Sequence, residues 1–149
     1  DWNVELWGAE DGKAYYKELQ LLIKRNHLEN RVFLEGPTND VPSVLQQGDI
    51  FAFPSAYEGF GLALGEAMSM GLPAVGYKSC SAVNELIKDG ENGYLCDDGI
   101  EPLKIALQKI MKNQNLRKKL GWNAKKIIRK YSSFLIWNMW EKILKRYSM

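Results

Sequence analysis

Apolar and polar residues alternate over Val4-Glu5-Leu6-Trp7 and stop at Gly8, which predicts a short strand followed by a turn. Beyond Asp11-Gly12, the residues Tyr15, Leu19, Leu22 and Ile23 recur at helical spacing and predict a helix over 14–26. A second strand is expected over 31–35, ending at Gly36-Pro37, and a short helix over 41–47. Gly48-Asp49 then lead into Ile50-Phe51-Ala52-Phe53, a continuous apolar run of the kind buried on both faces of a parallel sheet. That run stops at Pro54-Ser55. A helix over 60–70 is closed by Gly71 and Pro73, because glycine takes the left-handed cap and proline cannot continue the helix. A strand over 74–77 follows, then a helix capped by Ser81 and running to Lys88. Turns at Asp89-Gly90 and Asn92-Gly93 precede a last strand over 94–96.

Strand and helix therefore alternate through short loops, the pattern of an α/β fold with a parallel sheet and right-handed crossovers. Ligands in such sheets sit at the carboxyl ends of the strands. From residue 102 onward only helical periodicity remains. Leu103, Ala106, Leu107 and Ile110 form one stripe, and Leu116, Leu120, Ala124, Ile127, Ile128 and Tyr131 form another. After Ser132-Ser133, the residues Ile136, Trp137, Trp140, Ile143, Leu144 and Tyr147 make a final amphipathic helix. At 149 residues the chain is expected to be one domain, an α/β core over 1–101 with C-terminal helices over 102–149.

Composition narrows the class. With 46% hydrophobic and 26% charged residues, disordered and fibrous chains are excluded. No apolar run approaches the ~18 residues of a membrane-spanning helix, and Asp1-Trp2-Asn3 lack the basic start of a secretion signal, so a cytoplasmic location is expected. The first residue is not Met, and the sequence reads as a piece of something longer. Cys80 and Cys96 form no Cys-x-x-Cys pair and are expected to be buried free thiols. His27 has no second His or Cys at ligand spacing and reads as a helix-end residue. The net charge of +2 hides an asymmetry: residues 1–100 carry 7 Lys+Arg against 16 Asp+Glu, residues 101–149 carry 13 against 2. Such a basic segment is either a solvated helix face or a surface for an anionic partner.

The chemistry is concentrated in Ser55-Ala56-Tyr57-Glu58-Gly59-Phe60-Gly61-Leu62-Ala63-Leu64-Gly65-Glu66-Ala67-Met68-Ser69-Met70-Gly71-Leu72-Pro73. This segment leaves a strand, passes glycines and enters a helix whose one charged side chain is Glu66. Gly59 and Gly61 let the backbone approach a ligand, and free N–H groups at the helix start attract an anion such as a diphosphate. Glu58 and Glu66 offer acceptor-only carboxylates, suited to sugar hydroxyls, which donate. On spacing alone, a dipole role for Glu58 and a water-facing Glu66 account for the pattern equally well. Gly-x-Gly without a third glycine is not the dinucleotide fingerprint.

The residues Pro54-Ser55, Glu58-Gly59-Phe60-Gly61-Leu62, Glu66-Ala67-Met68 and Gly71-Leu72-Pro73, followed by Glu85, Asp89-Gly90 and Asn92-Gly93, resemble the core of the retaining family 4, or group 1, glycosyltransferases. The resemblance covers nearly the whole chain. It implies a Rossmann-like parallel sheet with flanking helices, the C-terminal, donor-binding half of the GT-B architecture, with its first strand missing and a C-terminal helical extension. By that resemblance Glu58 is the catalytic-site carboxylate that contacts hydroxyls of the transferred sugar, and Glu66 holds the ribose. The backbone at Gly59, Phe60, Gly61 and Leu62 meets sugar and diphosphate, and Gly8, Gly36, Pro37 and Thr38 border base and phosphates. The expected donor is a UDP-sugar, the reaction a retaining hexosyl transfer to a glycan or lipid-linked acceptor in polysaccharide biosynthesis.

One departure is large. The family's donor domain opens with a strand and a loop carrying an Arg and a Lys for the departing diphosphate, and this sequence starts after that point. The N-terminal acceptor domain is absent as well, so the fragment alone is expected to be inactive, with that domain as the partner of the last helix. No Asp-x-Asp pair or His/Cys cluster calls for a metal, Asp97-Asp98 read as a solvated turn, and no cofactor is implied. Lys118, Lys119, Lys125, Lys126, Arg129 and Lys130 are expected either to face water or to meet an anionic membrane at its inner face. Nucleic acid has only charge to recommend it. Two alternatives stay open: a non-catalytic nucleotide-sugar-binding module and a GT-B sugar-nucleotide epimerase.

Overall fold

The computed structural model of the chain describes residues 2–9 and 12–147. Asp11 of the expected Asp11-Gly12 turn lies outside the described residues. The chain divides into two compact units, residues 1–41 and 42–149.

The first unit is a parallel β-α-β motif: β1 (Val4–Trp7), α1 (Lys13–Arg25) and β2 (Val32–Gly36). Val4 pairs with Val32 and Leu6 with Leu34, and the register shifts at Trp7, which pairs with Gly36. Lys24 and Arg25 occupy the last turn of α1, where cations complement the helix dipole. Asn26 Nδ2 donates to the Leu22 carbonyl at 2.8 Å, and His27 takes a left-handed φ of 54° just past the helix. The histidine is thus an exposed helix-end residue, as its sequence neighbours indicate.

The second unit contains α2 (Val41–Gln47), whose first residue belongs to the first unit, and a parallel sheet of order β3-β4-β5, with β3 Phe51–Phe53, β4 Ala74–Tyr77 and β5 Gly93–Cys96. Its helices are α3 (Leu62–Met70), α4 (Ser81–Leu86), α5 (Ile100–Met111), α6 (Gln114–Ile128) and α7 (Ser133–Tyr147), with a 3-10 turn at Arg129–Tyr131. The strand buried on both faces is β4, not β3. Ala74 joins a cluster with Leu64, Met68, Val83, Leu86 and Ala124, while Val75 joins Cys96, Ala106, Ile110 and Leu120. In contrast β3 is an edge strand of its sheet, and Ala52 is exposed. An apolar run alone does not tell a central strand from an edge strand.

Helix α6 packs on α3 at glycines. A Cβ on Gly121 would collide with the carbonyl oxygen of Gly71, so only a hydrogen side chain admits this approach. Two helix boundaries differ from expectation. Helix α3 begins at Leu62 instead of Phe60, because Gly61 stands before it with a left-handed φ of 78°. Helix α4 has Cys80 as its N-cap, without a side-chain cap bond, and ends at Leu86, so Ser81 is its first residue and not its cap. Both cysteines are free and buried. Burial pushes the Cys96 thiol up, with the neighbouring Asp97 charge adding to the effect, which keeps it protonated and unreactive.

Candidate functional site

The loop from Pro54 to Gly61 leaves the carboxyl end of β3 and delivers the chain to α3. The half-buried Ser55 Oγ lies 2.8 Å from Glu58 Oε1 and 3.0 Å from the Tyr57 carbonyl, two acceptors for its one proton, and the shorter contact holds the carboxylate. Glu58 is itself half-buried. Nothing lies within 4 Å of where a Cβ on Gly59 would stand, so the backbone there is open to a ligand. Gly61 caps α3 with no side-chain bond, and the first backbone bond of the helix runs from Gly65 N to Gly61 O. Among the described residues no side chain caps the N–H groups of Leu62 and Ala63, two exposed residues at the positive end of the helix dipole.

Glu66, one turn into α3, is exposed and lines an open cleft of about 560 Å³. Phe60, Leu62, Ser69, Lys125 and Arg129 share that cleft, and Phe60 meets Tyr131 edge-on at 5.3 Å between ring centroids. Among the described residues, no ion pair holds Glu66, Lys125 or Arg129. The carboxylate and the two cations are thus available to a ligand. The Lys125 stem lies where a Cβ on Gly71 would be, so its charge is near the C-terminal end of α3, where the dipole favours it. Of the residues singled out from sequence, Phe60, Leu62 and Glu66 share the cleft. Glu58, Gly59 and Gly61 occupy the adjoining loop and are not part of its lining.

The other candidates belong to the first unit. Gly8 N donates to the Gly36 carbonyl at 2.9 Å, which brings the ends of β1 and β2 together, and Pro37 and Thr38 follow directly. Thr38 Oγ1 accepts from Asp40 N at 3.0 Å. Sequence reasoning gave Ser69, Tyr131 and Ser132 no place in the site, and it gave Lys125 and Arg129 only a surface role. Their signal, a polar residue on one helix matched to a basic one far along the chain, has no local spacing. Asp97 and Asp98 do more than solvate a turn: Lys78 Nζ is 3.3 Å from Asp97 Oδ1, and Ser79 Oγ donates to Asp98 Oδ1 at 2.7 Å. Asn92 is fully buried, accepting from Lys88 N at 2.7 Å and donating to the Leu86 carbonyl at 2.9 Å, so this motif position builds the turn before β5. No three His, Cys, Asp or Glu side chains converge among the described residues.

Residues 1–127 match the model of the family described as glycosyl transferases group 1, and the chain belongs to that family. It is 35% identical over 132 residues to poly(glycerol-phosphate) alpha-glucosyltransferase of Bacillus subtilis, covering 87% of this chain and 19% of that protein. With N-acetyl-alpha-D-glucosaminyl L-malate synthase of Bacillus anthracis it shares 34% identity over 147 residues, which is 97% of this chain and 36% of that one. The crystal structure of Anabaena HepE with UDP and glucose is similar with a TM-score of 0.84 at 30% identity, covering 98% of this chain and 40% of that chain. The chain therefore spans well under half the length of these proteins. It has the α/β fold, parallel strands flanked by helices, of the GT-B C-terminal domain. Among the described residues no helix is long and apolar enough to cross a membrane.

Proposed function

We propose that the chain is the donor-binding domain of a longer enzyme, residues 1–149 acting as one domain, which transfers a hexose from a UDP-sugar to a glycan or lipid-linked acceptor with retention of anomeric configuration. The observation that carries this reading is the start of α3: an open Gly59, a left-handed Gly61 and no side-chain cap, with Glu58 before it and Glu66 within it. UDP and glucose bound to Anabaena HepE support the donor class. The names of relatives that glucosylate poly(glycerol-phosphate) or galactosylate a GlcNAc-diphosphoundecaprenol support the acceptor class.

The chemistry follows from charge. As the glycosidic bond breaks, negative charge grows on the departing diphosphate and positive charge on the sugar ring. The free N–H groups of Leu62 and Ala63, with the dipole behind them, stabilise the first in place, a contribution that needs no reorganisation during reaction. The Glu58 carboxylate accepts hydrogen bonds from sugar hydroxyls and fixes the ring against the acceptor, while Glu66 accepts from the ribose. Backbone groups at Gly8, Gly36, Pro37 and Thr38 serve the nucleotide. The acceptor is bound by the part of the enzyme outside this chain, so the chain alone binds donor and does not turn it over. In the full-length enzyme, Glu58→Gln is expected to lower transfer about 100-fold without unfolding the protein. Unchanged turnover would remove the assignment, and a product of inverted configuration would remove retention.

The basic face of α6 is assigned to peripheral attachment at an anionic membrane. On α6, Lys118, Lys119, Lys125 and Lys126 are exposed, as are Arg129 and Lys130 in the 3-10 turn that continues it, whereas Leu120, Gly121 and Ala124 are buried on the opposite side of the helix. A helix with one dry and one cationic face suits a lipid surface, where each nearby basic residue contributes about 1 kcal/mol.

A further inference from the structure

We propose that Ser55 is a positioning residue for the sugar-binding carboxylate, an inference that rests on the role assigned to Glu58 above. The Ser55 hydroxyl has one proton and two acceptors in reach, the Glu58 carboxylate at 2.8 Å and the Tyr57 carbonyl at 3.0 Å. The ionised acceptor is both nearer and stronger, so the proton goes to Oε1. That bond occupies one lone pair of Oε1 and leaves the remainder of Oε1 and all of Oε2 for hydroxyl donors.

Orientation is the point of this arrangement. Glu58 sits in an eight-residue loop between β3 and α3, Tyr57 beside it is 86% exposed, and Gly59 after it has open space around it. Beyond its own chain neighbours, no described residue lies within 4 Å of where a Cβ on Gly59 would stand. A glutamate on so free a stretch would sample several rotamers, and each one lost on binding sugar would cost affinity in the transition state. Pro54, with its fixed φ, starts the loop from the end of β3, and Ser55 then reaches three residues forward to pin the carboxylate.

The experiment is steady-state transfer by the full-length enzyme carrying Ser55→Ala, Ser55→Thr or Glu58→Gln, with inhibition by UDP measured alongside. Ser55→Ala is expected to lower kcat about tenfold, the worth of one hydrogen bond to a charged group. The UDP inhibition constant and the melting temperature stay unchanged, and Ser55→Thr, which keeps the hydroxyl, restores most of the rate. A Ser55→Ala enzyme with wild-type kcat overturns the inference while a collapsed Glu58→Gln enzyme leaves the underlying reading intact. Equal losses in Ser55→Ala and Ser55→Thr, or a weakened UDP interaction together with a lowered melting temperature, also overturn it, since they mark a loop-building role alone. If Glu58→Gln turns over normally, the assignment of Glu58 itself fails.

Discussion

Helices α3 and α7 are both rich in apolar residues, and the chain treats them in opposite ways. Helix α3 is nine residues long, and Leu64, Gly65, Ala67 and Met68 are buried against β4, α4 and α6. Helix α7 has fifteen residues, a well-formed apolar stripe, and none of them buried; Trp137 is 72% exposed and Trp140 57%. Burying a side chain the size of Leu or Met stabilises a fold by roughly 1.5–3 kcal/mol, and α3 contributes that twice, through Leu64 and Met68, while α7 contributes little. The contrast separates a helix that builds the core from one whose apolar stripe stays exposed, the face proposed for an acceptor domain. Helix α3 also carries Glu66, which lines the cleft.

The α3–α6 contact is the most sensitive point of the core. Gly121→Ala places a methyl against the Gly71 carbonyl and is expected to destabilise the chain by about 3 kcal/mol, read from the urea midpoint. A midpoint equal to the wild type would mean that the two helices are not packed as closely as described. On α7, Trp140→Ser should cost the chain less than about 0.5 kcal/mol, because the side chain is already 57% exposed. A large loss would show that α7 is packed within this chain. The smallest effect is expected on the basic face of α6, where Lys118→Gln with Lys119→Gln should reduce co-sedimentation with anionic vesicles by several-fold and leave neutral vesicles unaffected. Binding that ignores lipid charge would contradict the membrane assignment.

Much of this was legible in the sequence, and the failures have physical reasons. The strand-helix alternation, the Gly71-then-Pro73 stop and the final amphipathic helix are local patterns, and each lies where its periodicity or cap chemistry puts it. The family is equally legible, because Glu58, Glu66 and their glycines sit at fixed spacing on one loop and one helix. Four apolar residues in a row look alike whether one neighbour strand or two flank them, so the run at β3 reads as a central strand. Only the backbone of Gly61, left-handed at φ 78°, delays the start of α3 past Phe60. The cleft partners of Glu66 were invisible because Lys125 and Arg129 approach it through the packing of α6, which no local spacing records. Ser55 stood in plain view beside Glu58, yet its hydrogen bond depends on the turn geometry that the sequence does not display.

The central claim is that the start of α3 receives a nucleotide sugar through free backbone amides flanked by two carboxylates. Amide chemical-shift mapping of the 149-residue chain during titration with UDP-glucose and with UDP tests it most directly. Both ligands are expected to perturb Leu62, Ala63 and the residues around Glu66, and UDP-glucose alone to perturb Glu58 and Gly59. Perturbations confined to other parts of the chain, or none at ligand concentrations that saturate the full-length enzyme, would contradict it.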